Sequence, residues 1–510
     1  MRLPTAAACC VAIAAAASAA AGASPVGGAG DTGIKYLLLD DRNVIDQGKA
    51  TLTLGKVTKH NFVNETHDGS NDDGHYSQRQ SFPLIREERD YEMRFDNMQP
   101  NIWYDPLLKK WRAWYSAFTN CSKPKESVPY CNNAPQTCGS ASASVKASRG
   151  TGFLYAESDD GISWVKPHLG LVDWKGSKDN NLIELDGMTT QVYLDEQAPP
   201  DERYKIVTGS NGLGAIAVSP DGIRWNSTKD LEQETFARWD TPKNLVWDPV
   251  QSQWIVYVRS QPTEGFMRIQ SYIHSQTSNF MGDWAPATPT GLNSSLDYQP
   301  DGLVAWPYEG IFIGVGNVFN PTQVAGAAAK IGQVNMVLGW SADGRRWKWL
   351  LPTESIVPLG SEGDFDACGV FGAKQDPMRT MVNDTLRLYY TGCNGPFFGS
   401  RGCGLGLATL QRDGWAGYTG GTVQTAPVRV VGPTPTLQIT VEGPEGGEGV
   451  RVGILGSTNF SVNTCDPIKG QQTDATVTWN GVSDLSQYLN GAVTLIFYIP
   501  DDATAFAFKI

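Results

Sequence analysis

The chain has 510 residues, 41% hydrophobic and 18% charged, with a formal net charge of −12 and a pI near 5.0. That acidity argues against nucleic acid or an anionic membrane as the main partner, and the length allows two or three domains. Sixteen Trp, 55 Gly and 30 Pro point to many short strands and tight turns rather than long helices.

The N-terminus, MRLPTAAACCVAIAAAASAAAGASP, has Arg2, an apolar stretch from Ala6 to Ala21, and small residues at Ala19, Ala21 and Ala23. This is the pattern of a secretory signal peptide, assigned to residues 1–24. The stretch is too short and Ala-rich for a membrane anchor. No later segment is apolar enough to span a bilayer, so a secreted chain without membrane insertion is expected. Six N-x-S/T sequons, at Asn64, Asn120, Asn226, Asn293, Asn383 and Asn459, suit a glycoprotein. Beyond the signal stand Cys121, Cys131, Cys138, Cys368, Cys393, Cys403 and Cys465. Secretion favours disulfides. Cys393 with Cys403 closes a short hairpin-like loop, and two of the first three would staple one insertion. The odd count leaves at least one thiol free or paired with another chain. No His lies at ligand spacing to the cysteines, which argues against zinc; no cofactor is assigned, and clustered carboxylates would suit a calcium ion in the funnel. Residues 25–90 form a leading segment whose stretch HDGSNDDGHYSQRQ (67–80) reads as an exposed polar loop, His67 and His75 included.

A heptad then recurs: SDDGISW (158–164), SPDGIRW (219–225) and SADGRRW (341–347), with degraded copies in TSNFMGDW (277–284) and LQRDGWAGY (410–418). Before each copy comes a hairpin rich in aromatic and β-branched residues: NIWYDPLLKKWRAWYSAF, VYLDEQAPPDERYKIVTG, NLVWDPVQSQWIVYVRS, GLVAWPYEGIFIGVG and VFGAKQDPMRTMVNDTLRLYYTG. A unit of about 40–60 residues with four short strands has the size of a propeller blade. The fold class expected is therefore all-β: a five-bladed β-propeller over 91–420, then a C-terminal β-sandwich over 421–510, where LQITVEG, VRVGILG, ATVTWNG and AVTLIFYIP alternate between turns. In the heptad, Asp-Gly is expected to make a turn and Trp to pack between neighbouring blades, a structural role resembling the Asp-box of sialidases.

A propeller gathers the first strand of every blade around its axis, and ligands bind at one mouth. The polar residues preceding those strands are the candidates. Asp96, Asp240, Glu362 and Asp366 are the candidate catalytic carboxylates. Arg94, Asn97, Asn101, Trp239, Asn244, Tyr298 and Asp301 are the candidate substrate-binding residues. Crowded carboxylates push their pKa values apart, which is what an acid and a base or nucleophile in glycoside hydrolysis require. Trp103 and Trp114 offer either sugar-stacking faces or blade packing.

In plan, the chain resembles the five-bladed propeller glycosidases of families 32, 43 and 68, and among them the family 32-like secreted propellers. FDNMQPN (95–101) is similar to the N-D-P-N-G element of family 32, and that resemblance implies a nucleophile or base role for Asp96. The R-D-P and E-C elements of that family have no recognisable counterpart here. The resemblance implies a secreted glycoside hydrolase acting on a carbohydrate. A carbohydrate-binding propeller without catalysis is the alternative, and a sialidase ranks behind both because five units and few inner-strand arginines do not suit it.

Overall fold

Aromatic and β-branched runs separated by Asp-Pro and Asp-Gly turns favour strands that bury both faces. The computed structural model describes residues 33–64, 80–95, 98–119, 151–186, 190–209, 214–231, 239–260, 268–292, 295, 298–320, 333–361, 363–395 and 402–510. These residues are all-β, apart from single 3-10 turns at Pro200–Glu202 and Ser486–Tyr488. The N-terminal strands are β1 (Lys35–Leu37), β2 (Val44–Asp46), β3 (Thr51–Leu54), β4 (Thr58–Lys59), β5 (Phe62–Asn64) and β6 (Gln80–Phe82).

Four-stranded antiparallel meanders follow. The first has β7 (Asn101–Asp105), β8 (Lys110–Phe118), β9 (Thr151–Ser158) and β10 (Leu182–Asp186). The second has β11 (Gln191–Leu194), β12 (Tyr204–Thr208), β13 (Gly214–Ser219) and β14 (Asn226–Leu231). The third has β15 (Trp239–Asp248), β16 (Gln253–Ser260), β17 (Ile269–His274) and β18 (Thr288–Pro289). The fourth has β19 (Gln299–Tyr308), β20 (Ile311–Asn320), β21 (Gln333–Ser341) and β22 (Trp347–Trp349). The fifth has β23 (Gly369–Gly372), β24 (Thr385–Cys393) and β25 (Cys403–Gln411), and β4 from the N-terminal segment is its outer strand. One parallel bridge, Val334 to Gly369, joins the fourth meander to the fifth.

The remaining strands are β26 (Ala416–Thr425), β27 (Val428–Arg429), β28 (Gln438–Glu442), β29 (Arg451–Ile454), β30 (Gln472–Thr476), β31 (Ala492–Val493) and β32 (Leu495–Lys509). An eight-stranded sheet in the order β2-β26-β32-β28-β30, with β1 and β29 also on β32 and β3 on β26, surrounds its own apolar cluster. Strand β26 runs across position 420/421, and β1 to β3 of the leading segment pair with C-terminal strands.

The meanders stack in cyclic order. One apolar cluster lies between the first and second (Trp114 and Tyr155 with Tyr204 and Ile206), and another between second and third (Val207 with Trp254). A third joins third to fourth (Tyr257 with Phe312 and Trp347), and a fourth joins fourth to fifth (Trp306 and Val315 with Leu388 and Tyr390). The last joins the fifth back to the first, Tyr389 and Leu407 meeting Trp111 and Tyr115.

The heptad turns lie at these same junctions. Asp160, Asp221 and Asp343 each accept hydrogen bonds through Oδ1 from the amides two and three residues on, at 2.7–2.9 Å. Burial pushes these carboxyls up, but the amide bonds outweigh it and hold them below their ordinary range. Gly161, Gly222 and Gly344 take φ of +76°, +71° and +71°. Each glycine carbonyl then accepts a hydrogen bond from an aromatic of the preceding meander. The donors are Tyr389 Oη to Gly161 (2.9 Å), Trp114 Nε1 to Gly222 (2.6 Å) and Tyr257 Oη to Gly344 (2.6 Å). The heptad Trp packs across the junction as expected: Trp164 meets Tyr389, Trp347 meets Tyr257, and the degenerate copy's Trp415 meets Trp306 and Tyr308.

Cys393 and Cys403 are disulfide-bonded across β24 and β25, Cα atoms 4.1 Å apart, as their spacing suggested. Cys368 is also disulfide-bonded, while Cys465 is a buried free thiol. Cys121, Cys131 and Cys138, the signal stretch, and His67 and His75 lie outside the described residues. Of the sequon asparagines, Asn226, Asn383 and Asn459 are exposed.

Two predictions follow from the turns and strand ends. Gly222→Ala places a Cβ 2.8 Å from Trp114 and 3.0 Å from Tyr204. It should cost about 2–4 kcal/mol in denaturant unfolding, combining left-handed strain and overpacking. Gly170→Ala, at φ +70° with nothing within 4 Å, should cost only about 1 kcal/mol; equal costs would show that the docked ring adds nothing. In the turn after β23, burial raises the Asp376 carboxyl to about 6, against the opposing pull of Arg379. A raised native pKa means that the proton stabilises the fold, and this contribution is lost as pH rises from about 4 through 6. Asp376→Asn should therefore raise the unfolding free energy at pH 7 by up to about 3 kcal/mol. The difference should vanish below pH 4 in a pH series of unfolding curves.

Candidate functional site

Strands β7, β11, β15, β19 and β23 each open a meander, and side-chain amides bond neighbouring meanders together. Asn101 is wholly buried. Its Nδ2 donates to the carbonyls of Trp114 (3.2 Å) and Thr190 (3.1 Å), and its Oδ1 accepts from the Val192 amide (2.9 Å). Asn244 Oδ1 accepts from Ala305, and Asn317 Oδ1 from Gly372, both at 2.8 Å. The backbone at Lys374 pairs with β7: Ile102 donates to the Lys374 carbonyl, and Lys374 donates to Pro100. These bonds join β7 to β11, β15 to β19, β20 to β23, and the segment after β23 back to β7.

Position four before a turn Asp carries Asn101 before Asp105, Gln191 before Asp195 and Asn244 before Asp248. These aspartates cap the far-end turns: Asp105 Oδ1 accepts from Leu107, Asp195 Oδ1 from Gln197 and Asp248 Oδ1 from Val250. The repeat therefore sets the end of the inner strand, where the Asp turns the chain, while Asn101 and Asn244 bond sideways to the next meander.

The candidates separate into groups. Asp96, Asn97 and Glu362 lie outside the described residues, as do the side chains of Trp239 and Asp240. The backbone of Trp239 pairs with Ser260 at the start of β15, and Asp240 follows it in that strand. Asn101 and Asn244 are occupied by the stitches just described. Asp301 is paired with Arg259, with Arg268 Nε 3.5 Å from the same oxygen. Arg94 is buried, bridges to Phe118 and stacks over its ring. Tyr298 stands just before β19 against Trp349, its hydroxyl buried and without a hydrogen-bond partner among the described residues. Asp366 sits elsewhere. It is fully buried on the face of the fifth meander, where Lys59 Nζ of the outer strand lies 2.6 Å from Oδ2 and Tyr390 Oη donates to the same oxygen. Trp103 and Trp114, 2% and 0% exposed, are packing residues.

Several residues on or beside these strands escaped the sequence reading. Gln99, in the FDNMQPN stretch, has φ +40°, and its Oε1 is buried without a partner among the described residues. A left-handed non-glycine at such a point stores strain of the kind found at functional sites. Lys374 and Lys243 are buried, 3% and 2% exposed. Lys374 Nζ donates to the Thr190 carbonyl at 3.2 Å, and Lys243 donates to the Gly209 carbonyl. Burial and then the charge of Lys243 drive the Lys374 ammonium well below its ordinary value. The signal was available: in WDTPKN and GAKQDP a lysine interrupts an inner-strand segment just before the turn.

No family model matches the chain, and no curated protein matches it. Solved structures similar to it include glycoside hydrolases of family 43 and related proteins. One is an N-acetylgalactosamine deacetylase from F. plautii in complex with blood group B trisaccharide, at 13% identity and TM-score 0.41, covering 66% of this chain and 96% of the other. A family 43 arabinoxylan arabinofuranohydrolase from Bacillus subtilis aligns at 10% identity and TM-score 0.37, over 84% and 98%. A protein of the GH130 family of mannoside phosphorylases aligns at 12% identity and TM-score 0.41, over 72% and 96%. At these values the likeness carries no conclusion about substrate.

The stitches make a prediction that separates structure from binding. Asn101→Ala bares three buried partners and Asn244→Ala bares the Ala305 amide, at about 1–3 kcal/mol for each group left unsatisfied. Both variants should lose stability in urea unfolding, with Asn101→Ala losing more. Unchanged stability with weakened ligand binding would assign these amides to substrate instead.

Proposed function

We propose that this chain is a glycoside hydrolase that cleaves an oligo- or polysaccharide. In this reading the five meanders are the blades of a five-bladed β-propeller and the eight-stranded sheet is a C-terminal β-sandwich. The protein is a secreted glycoprotein in the same reading, and its site lies where the inner strands begin. The observation that carries the proposal is the cyclic packing of the five meanders, with Asp240 the second residue of β15 and Asp96 five residues before Asn101. Carboxylates led to one mouth from different blades can divide the work of glycosidic cleavage. One, kept protonated, gives its proton to the leaving oxygen as the C–O bond breaks. Another, ionised, attacks the anomeric carbon or activates the water that does.

Asp96 takes the nucleophile or base role, as the resemblance of FDNMQPN implies. Glu362 is the acid, and Asp240 orients or tunes. Asp366 receives no role, because Lys59 and Tyr390 occupy its Oδ2. Tyr298 and Gln99, whose buried polar atoms lack partners among the described residues, are suited to hydroxyls of the sugar.

The test is hydrolysis of a panel of furanosides, pyranosides and oligosaccharides by the wild type, Asp96→Asn and Glu362→Gln. Each variant should lose about 10²–10⁴-fold in kcat at an unchanged melting temperature. Full activity in Asp96→Asn would overturn the assignment in the first blade. Saturable glycan binding without turnover in the wild type would replace the enzyme by a carbohydrate-binding propeller.

A further inference from the structure

We infer that Glu92 and Lys166 are positioning residues: their buried ion pair fixes the turn that carries Asp96 and leads into Gln99. The inference rests on the glycosidase reading for the role of Asp96, and it names what holds that residue in place.

The chain reaches β7 along a strap bonded to two sheets. On the fifth, Leu84 donates to the Leu405 carbonyl, and Leu405 donates to that of Ile85. On the first, Met93 donates to Phe118, Phe118 to Arg94, and Ser116 to Met98. From Arg94 to Met98 the strap advances four residues while β8 advances two, from Phe118 to Ser116. Two residues are therefore inserted. The Met98 amide donates to the Phe95 carbonyl at 2.9 Å, which closes a turn whose central pair in sequence is Asp96 and Asn97. Gln99, just after it, has φ +40°. Insertions in a strand re-aim side chains and gather beside active sites.

An inserted turn stands outside the strand ladder, so side chains must hold it. Here they converge on Phe95, which is wholly buried. Its amide donates to Glu87 Oε1 at 2.8 Å. Its ring meets Tyr115 edge-on, centroids 5.5 Å apart, and Lys166 Nζ lies 5.8 Å from its centroid. The same Nζ is 2.7 Å from Glu92 Oε2, and Tyr115 Oη donates to Glu92 Oε1 at 2.9 Å. Glu92 Oε2 also accepts from the amides of Glu88 and Arg89. Val165 exchanges both backbone bonds with Glu157 of β9, which anchors the lysine that follows it. A buried ion pair adds little stability over packed hydrocarbon of the same volume. What its directional bonds add is one fixed geometry, here that of Phe95 and the turn after it.

The full chain is compared with Glu92→Gln, Lys166→Met and a control, Asp413→Asn. Asp413 has an equally buried pair with Lys35, at 2.6 Å, in the turn after β25. Amide hydrogen exchange is read on the peptide spanning 93–98, and kcat and KM on a substrate from the hydrolysis panel. Both strap variants should exchange at least about tenfold faster at 93–98. They should lose about ten- to hundredfold in kcat with KM nearly unchanged. Asp413→Asn should lose comparable stability in urea without either effect. The double variant, which leaves no lone buried charge, serves where a single one does not fold. Wild-type exchange at 93–98 in the strap variants overturns the inference, as does full kcat despite faster exchange, or an equal loss of kcat in Asp413→Asn. Exchange needs neither substrate nor turnover. A wild type without hydrolysis therefore counts against the glycosidase reading alone, and faster exchange confined to 93–98 still supports the hold of this pair on the turn.

Discussion

Burial between consecutive meanders is the constraint on which the rest depends. Each sheet is apolar on both faces, so none satisfies itself alone. Trp114, Tyr155 and Tyr204 close one junction, and Tyr389, Trp111 and Tyr115 close the junction that returns to the start. A linear stack would leave two greasy outer faces, whereas a cycle leaves none. The glycine carbonyl of each intact heptad gives the ring from the preceding sheet a fixed hydrogen-bond target, so the same turn that reverses the chain also sets the register between sheets.

Closing the cycle fixes what lies at its centre. Strands brought this near one another need short side chains that bond sideways: Asn101 and Asn244 on inner strands, and Asn317 on β20 toward β23. They occupy space that a ligand would otherwise meet. What remains for chemistry is the set of groups above the stitches and those that reach across the axis. The geometry also explains why Arg259, Arg268 and Asp301 form one cluster: they face each other across the junction of the third and fourth meanders.

Much of this was legible in the sequence. The heptad spacing revealed the repeat, because Asp-Gly turns and tryptophans at fixed offsets are local chemistry that tertiary context does not rewrite. The Cys393–Cys403 pair was legible for the same reason. Asn101 and Asn244 were read as sugar ligands, because an amide before an inner strand looks the same whether its partner is a hydroxyl or a neighbouring backbone. Asp366 was placed by counting back from the turn at Asp376. The count assumes that the chain stays extended, but β23 covers only Gly369–Gly372 and the residues before it fold over the sheet face. Lys374 was missed because a lone lysine beside a strand is usually solvated, and its burial involves segments far away in sequence, at 100–102 and Thr190. The leading segment looked like a preface, since pairing between residues hundreds of positions apart leaves no periodic trace.

That last pairing bears on how the molecule is assembled. Thr58 and Lys59 complete the fifth sheet, and Thr409 donates to the Thr58 carbonyl across 351 residues. During synthesis this strand leaves the ribosome early and then waits, unpaired, while four sheets are made. The cycle can shut only after Gln411 has appeared. Folding is thus governed by its longest loop, which makes it slow and leaves sheet edges open for much of that time. An oxidising folding compartment supplied with glycans and chaperones would shelter that interval. A cut just after Lys59 would remove few contacts by number, yet it would free the outer strand of the fifth sheet.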